Sequence, residues 1–97
     1  MKTPVIFRKF ADGEIIAILP TIAGTSDPST CTSYMHIGQH SSCYPMHLTG
    51  LTRIASPDEY APLLRELVSI GYDNLKPMRR NQYSFLRVRQ DQIRGTV

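Results

Sequence analysis

A chain of 97 residues with 41% hydrophobic content and a net charge of +3 at pH 7 is enough polypeptide for one domain with one modest core. No apolar run approaches the ~20 residues that span a bilayer, and the patterned apolar stretches argue against disorder. Pro4 to Phe7 is too short for the apolar region of a signal peptide and is closed by Arg8 and Lys9, so the cytoplasm is the expected location and Cys31 and Cys43 are expected to stay reduced.

In chain order, Val5 to Phe10 and Ile15 to Leu19 are rich in β-formers and flank Ala11-Asp12-Gly13-Glu14. Asp-Gly between apolar runs signals a hairpin, and a two-residue turn there predicts pairs Phe10–Ile15, Arg8–Ala17 and Ile6–Leu19. One face would then carry Ile6, Arg8, Phe10, Ile15, Ala17 and Leu19, the other Val5, Phe7, Lys9, Ile16 and Ile18. Both are mostly apolar, which places the hairpin centrally or leaves one face for a partner. Pro20 is expected to end the second strand.

Thr21 to Thr30 reads as a loop, Cys31 to Ile37 as a third strand, Gly38 to Pro45 as a break and Leu48 to Ile54 as a fourth strand. Ser56-Pro57-Asp58-Glu59 starts a helix: a capping residue, proline at the first position and glutamate at the third. Its apolar stripe, Tyr60, Leu63, Leu64, Leu67 and Ile70, runs to Gly71, with Pro62 as an interruption. Leu75 to Met78 reads as a short strand that Pro77 confines to an edge. Phe85, Leu86, Val88 and Ile93 suit a helix begun at Ser84 and stopped at Gly95. Alternation from Phe85 to Arg89 suits a strand, but the charge ladder Arg87, Asp91, Arg94 favours the helix. The expected fold is a single α+β domain over residues 1–97. A small, mainly antiparallel sheet is formed by the N-terminal hairpin and one to three further strands. One well-capped helix packs on a face and a short helix follows at the C-terminus.

Both cysteines and all three histidines fall between Cys31 and His47, in the spacing C-x4-H-x3-H-x2-C-x3-H. The spacing is not that of a structural zinc site, which favours tight C-x2-C pairs. On a continuous strand, Cys31 points with Ser33 and Met35 while His36 points to the opposite face, so those two do not share a metal. His36, His40 and Cys43 remain the candidate metal ligands, and no cofactor is expected. His36 and His40, beyond a strand end, are the candidate acid–base pair of a small nuclease. Cys43 near His40 and His47 is a candidate nucleophile only if a neighbouring cation or a helix N-terminus lowers its pKa.

Charge is uneven. From Lys76 onward, Lys76, Arg79, Arg80, Arg87, Arg89 and Arg94 face only Asp91. With Tyr83 and Phe85 as stacking residues, this segment suits nucleic acid. Arginine, tyrosine and methionine are also the residues of protein interfaces, which adds Tyr44 and Met46 of the Tyr44-Pro45-Met46 stretch.

The runs Val5-Ile6-Phe7-Arg8-Lys9, Gly13-Glu14-Ile15-Ile16-Ala17, Ser33-Tyr34-Met35-His36-Ile37-Gly38-Gln39-His40 and Glu59-Tyr60 through Ile70-Gly71-Tyr72 resemble a set of short uncharacterised bacterial proteins. The resemblance implies bacterial or mobile-element origin and no particular chemistry. The sequence favours a non-enzymatic protein-binding module, an inhibitor or accessory factor, with Tyr44, Met46, Arg79, Arg80, Arg87 and Arg89 toward a protein partner. Homodimerisation is a sub-case, and a membrane is not expected as a partner. Nucleic-acid binding through the basic C-terminal segment is the first alternative. A histidine-based nuclease or metal site in residues 31–47 is the second.

Overall fold

The computed structural model describes residues 2–36 and 38–95. It is an α+β fold with helices on both faces of a six-stranded sheet. Strands β1 (Thr3–Phe10) and β2 (Ile15–Ala23) form the hairpin, and β3 (Cys31–Met35) and β4 (Gln39–Cys43) form a second. Helix α1 (Pro45–Leu51) follows, then β5 (Thr52–Ile54), α2 (Pro57–Ser69), β6 (Leu75–Met78) and α3 (Tyr83–Arg94). The main order is β4-β3-β2-β1-β5. The outer edge of β1 is divided: β6 pairs in parallel along Thr3 to Ile6, and β5 antiparallel along Arg8 to Phe10. Pro77, which has no N–H to donate, lies on this outer strand as expected.

The first turn departs from expectation. The Gly13 N–H donates to the Phe10 carbonyl at 3.0 Å and the Phe10 N–H to the Glu14 carbonyl at 2.9 Å. Gly13 has φ of +95°, so the loop has three residues and its glycine takes the left-handed position. The register becomes Ile6 with Ile18 and Phe7 with Ala17. That one-residue slip exchanges the β2 side chains between faces. Val5, Phe7, Ala17 and Leu19 now share one core with Tyr34, Ala55, Leu63 and Leu67. Ile6, Ile16 and Ile18 share the other with Cys31 and Leu48. Burying each large aliphatic side chain contributes about 1.5–3 kcal/mol. Phe7 stacks on Tyr60 with ring centroids 4.3 Å apart.

Helix α2 covers the first core. The Ser56 N–H donates to Glu59 Oε1 at 2.9 Å, completing the capping box, and Glu59 Oε2 also takes Lys9 Nζ at 2.6 Å and Arg53 at 2.9 Å. Exposed Pro62 is tolerated because the Asp58 residue it would have bonded also lies at the surface.

The second core lies under α1 and α3. Pro20 does not end β2; the strand continues to Ala23 with a register irregularity against β3 after Leu19. Helix α3 bonds the backbone groups of this stretch. Arg89 Nη1 donates to the Pro20 carbonyl at 2.7 Å and Nε to the Pro28 carbonyl at 2.9 Å. Gln92 accepts from the Ala23 N–H at 2.8 Å and donates to the Thr21 carbonyl at 2.5 Å. Two further expectations are corrected. Gly38 to Pro45 holds strand β4, and most of Leu48 to Ile54 is helix rather than strand. Among the described residues, no helix is long and apolar enough to cross a membrane.

Candidate functional site

The seven-residue α1 buries only Pro45 and Leu48, too little to close its side of the sheet. Between it and residues 79–83 a cleft of about 490 Å³ remains. Its apolar lining is Ile6, Ile18, Pro45 and Ile54. Met46 and Tyr83 also line it, with 82% and 91% of their surfaces exposed. Both are large side chains held in water beside an apolar surface, as interface anchors are.

Among the described residues, three arginines line the same cleft and no aspartate or glutamate does. Arg8 is fixed: Nε donates to Thr52 Oγ1 at 3.0 Å, and Nη2 to the Thr52 and Thr49 carbonyls at 2.6 and 3.2 Å. Burial lowers its pKa somewhat, without threatening its charge near neutrality. Arg79 and Arg80 are exposed and make no hydrogen bond or ion pair with any described residue. A cleft so built accepts apolar side chains on its floor and carboxylates at its rim.

His36 and His40 gather on the opposite face, whereas His47 lies on α1. His36 Nδ1 donates to Glu66 Oε1 at 2.5 Å, and the Tyr34 hydroxyl donates to Glu66 Oε2. That bond and burial raise the Tyr34 pKa. Tyr34 in turn accepts from the Gly38 N–H at 2.9 Å. His40 Nε2 lies 3.0 Å from the Tyr72 hydroxyl, and its ring meets Tyr34 edge-on at 4.7 Å. Among the described residues, the shallow hollow here is lined by Tyr34, Gly38, His40, Ile70, Gly71 and Tyr72, with no lysine or arginine to hold a phosphate. The two histidines share a neighbourhood, each oriented by a different partner.

Cys43 does not join them. It stands opposite Cys31 across the β3–β4 ladder and belongs to the second core, whereas His40 turns toward Tyr34 of the first. Among the described residues no three of His, Cys, Asp and Glu converge to hold a metal ion, so His36, His40 and Cys43 form no ligand set. Met46, Arg79 and Arg80 are brought together. Tyr44 is half exposed at the start of α1, beside the cleft but not lining it, and Arg87 is exposed on α3. Arg89 is only 4% exposed, its guanidinium bonded to carbonyls, so it positions α3 rather than meeting a partner. Phe85 is buried and offers no stacking surface. Sequence reasoning missed Arg8, Ile6 and Ile18 as cleft residues, because only the strand register and the short α1 bring them to the cleft wall. Comparison with protein-family models, curated proteins and solved structures finds no match to the chain.

Proposed function

We propose that the protein is a small non-enzymatic binding module that takes an acidic, amphipathic segment of a protein partner in the cleft between α1 and residues 79–83. One observation carries the reading: an apolar floor bordered by Arg79 and Arg80, neither of which is ion-paired with a described residue. Charge complementarity of this kind favours a partner that interleaves carboxylates with leucine-like side chains. Met46 and Tyr83 supply the anchoring contacts, and Arg8 a fixed charge at the inner wall. An inhibitor or accessory factor works in this way, by occupancy and without turnover. The distribution of cations weakens the nucleic-acid reading: Arg89 is consumed by the fold and Phe85 is buried.

The test is selection of a displayed random-peptide library on the wild-type chain and on an Arg79→Glu/Arg80→Glu variant, with binding of a single-stranded oligonucleotide measured in parallel. Wild type is expected to enrich peptides mixing Asp or Glu with Leu or Phe. Their binding should perturb the amide signals of Met46, Thr49 and Tyr83, and the variant should lose at least about tenfold in affinity, a loss of about 1.4 kcal/mol. Enrichment indifferent to charge reversal would overturn the reading. So would tight, steeply salt-dependent oligonucleotide binding that the variant abolishes.

A further inference from the structure

Cys31 and Cys43 stand directly opposite each other in the β3–β4 ladder with their sulfurs 3.7 Å apart. Directly opposed residues of an antiparallel pair have Cα atoms ~4.5–5.5 Å apart, within the span a disulfide bridges. A bond between these sulfurs therefore needs side-chain rotation and no change of register. The surroundings permit that rotation. β4 is an edge strand, four of its five residues are exposed, and Cys43 lies half-buried at its end. Cys31 is fully buried.

The two sulfurs are also chemically unequal. The contact between the two thiols lowers the pKa of Cys43 and, together with burial, raises that of Cys31. The Ser33 hydroxyl and the Arg89 guanidinium further favour a Cys43 thiolate. The less buried cysteine is thus the readier nucleophile, and the fully buried one is held beside it.

We propose that Cys31 and Cys43 are a reversible redox site, closing to an intramolecular disulfide by exchange with a low-molecular-weight disulfide such as oxidised glutathione. The Cys43 thiolate attacks one sulfur of that reagent. Its S–S bond breaks, one glutathione leaves and takes up a proton, and a mixed disulfide forms on Cys43. Cys31 then gives its proton to solvent and attacks the Cys43 sulfur, releasing the second glutathione as a thiol. Two protein thiols are oxidised and one small disulfide is reduced to two thiols. Excess reduced glutathione runs the sequence backwards. The product ties the exposed edge strand to the buried one beside it, and it forms independently of the arginine-lined cleft.

The experiment equilibrates the purified chain in buffers of increasing oxidised-to-reduced glutathione ratio, quenches with an alkylating agent and reads intact mass. Wild type is expected to pass from a doubly alkylated species to an unalkylated monomer lighter than the reduced chain by two hydrogens. Cys31→Ala should stop at one stable glutathione adduct on Cys43, and Cys43→Ala should gain none at the same ratio. Both thiols still alkylated at the most oxidising ratio would overturn the proposal, as would a disulfide found only between two chains. The wild-type series stands alone if the Cys31→Ala core fails to fold.

Discussion

Arg89 shows why charge on a sequence does not by itself locate a surface. Its position in a basic run suggests a partner contact, yet its guanidinium is buried against the Pro20 and Pro28 carbonyls. Arg89→Ala would leave those acceptors unpaired and a void beside β2, so a loss of about 2–4 kcal/mol is expected in urea unfolding. Glu59 carries a second residue-scale prediction. Lys9, the Ser56 N–H and Arg53 hold its carboxyl far below the usual carboxylate range. A depressed folded pKa stabilises at pH values above the unfolded value, about 4.3, and the benefit fades as pH falls toward the folded one. The melting temperature of wild type should therefore exceed that of Glu59→Gln near neutrality and drop toward it as acid is added. The Glu59 half of this was legible, because a capping box is local; Lys9 joins only through the fold.

Among the elements, those with local signals take the form their sequence implies. Helix α2, edge strand β6 with Pro77, and α3 with Gly95 in the left-handed position at its end all follow from neighbours in sequence. The first part of the strand expected over Leu48 to Ile54 is instead the end of α1, because Leu48, Thr49, Leu51 and Thr52 suit either structure. Helix is favoured there by Pro45 at the first position, a signal that was present, and by Arg8, which donates to the carbonyls of Thr49 and Thr52 at the helix end. Arg8 lies far away in the chain, so no local pattern reveals it. Two glycines separate local from tertiary constraint. A methyl group on Gly24 would come 2.6 Å from the Cys31 carbonyl oxygen and 2.7 Å from Ser42 Cβ, whereas one on Gly50 meets nothing within 4 Å. Gly24→Ala should cost about 1–3 kcal/mol. Gly50→Ala, in an exposed stretch of α1, should gain about 0.5–1 kcal/mol, both read from chemical denaturation.

At the scale of the molecule, the fold sorts the basic residues that the sequence presents together. Arg89 goes to the core, Arg87 to the open face of α3, and Arg79 and Arg80 to the cleft, where Met46 arrives from a different element. The α+β class was legible because apolar periodicity and caps are properties of short windows. The cleft was not, because it is a gap left by a helix too short to cover its face. Since Arg79 and Arg80 make no ion pair with a described residue, their charge reversal should change folding stability by less than about 0.5 kcal/mol, as an unchanged urea midpoint would show. A large stability loss would mean that any binding defect of the variant came from unfolding.

The divided outer edge of β1 has a consequence for how the chain acquires its structure. β1 is central to the sheet, yet the strand that completes half of its edge, Leu75–Met78, is synthesised long after it. Loop closure over that separation must come before the contacts that reward it. A nascent chain halted before Leu75 would expose the Thr3–Ile6 backbone, an unprotected strand edge that invites pairing with another chain. The sheet is therefore expected to lock only when β6 leaves the ribosome. Until then, the N-terminal hairpin would be the segment most open to proteases and to mispairing.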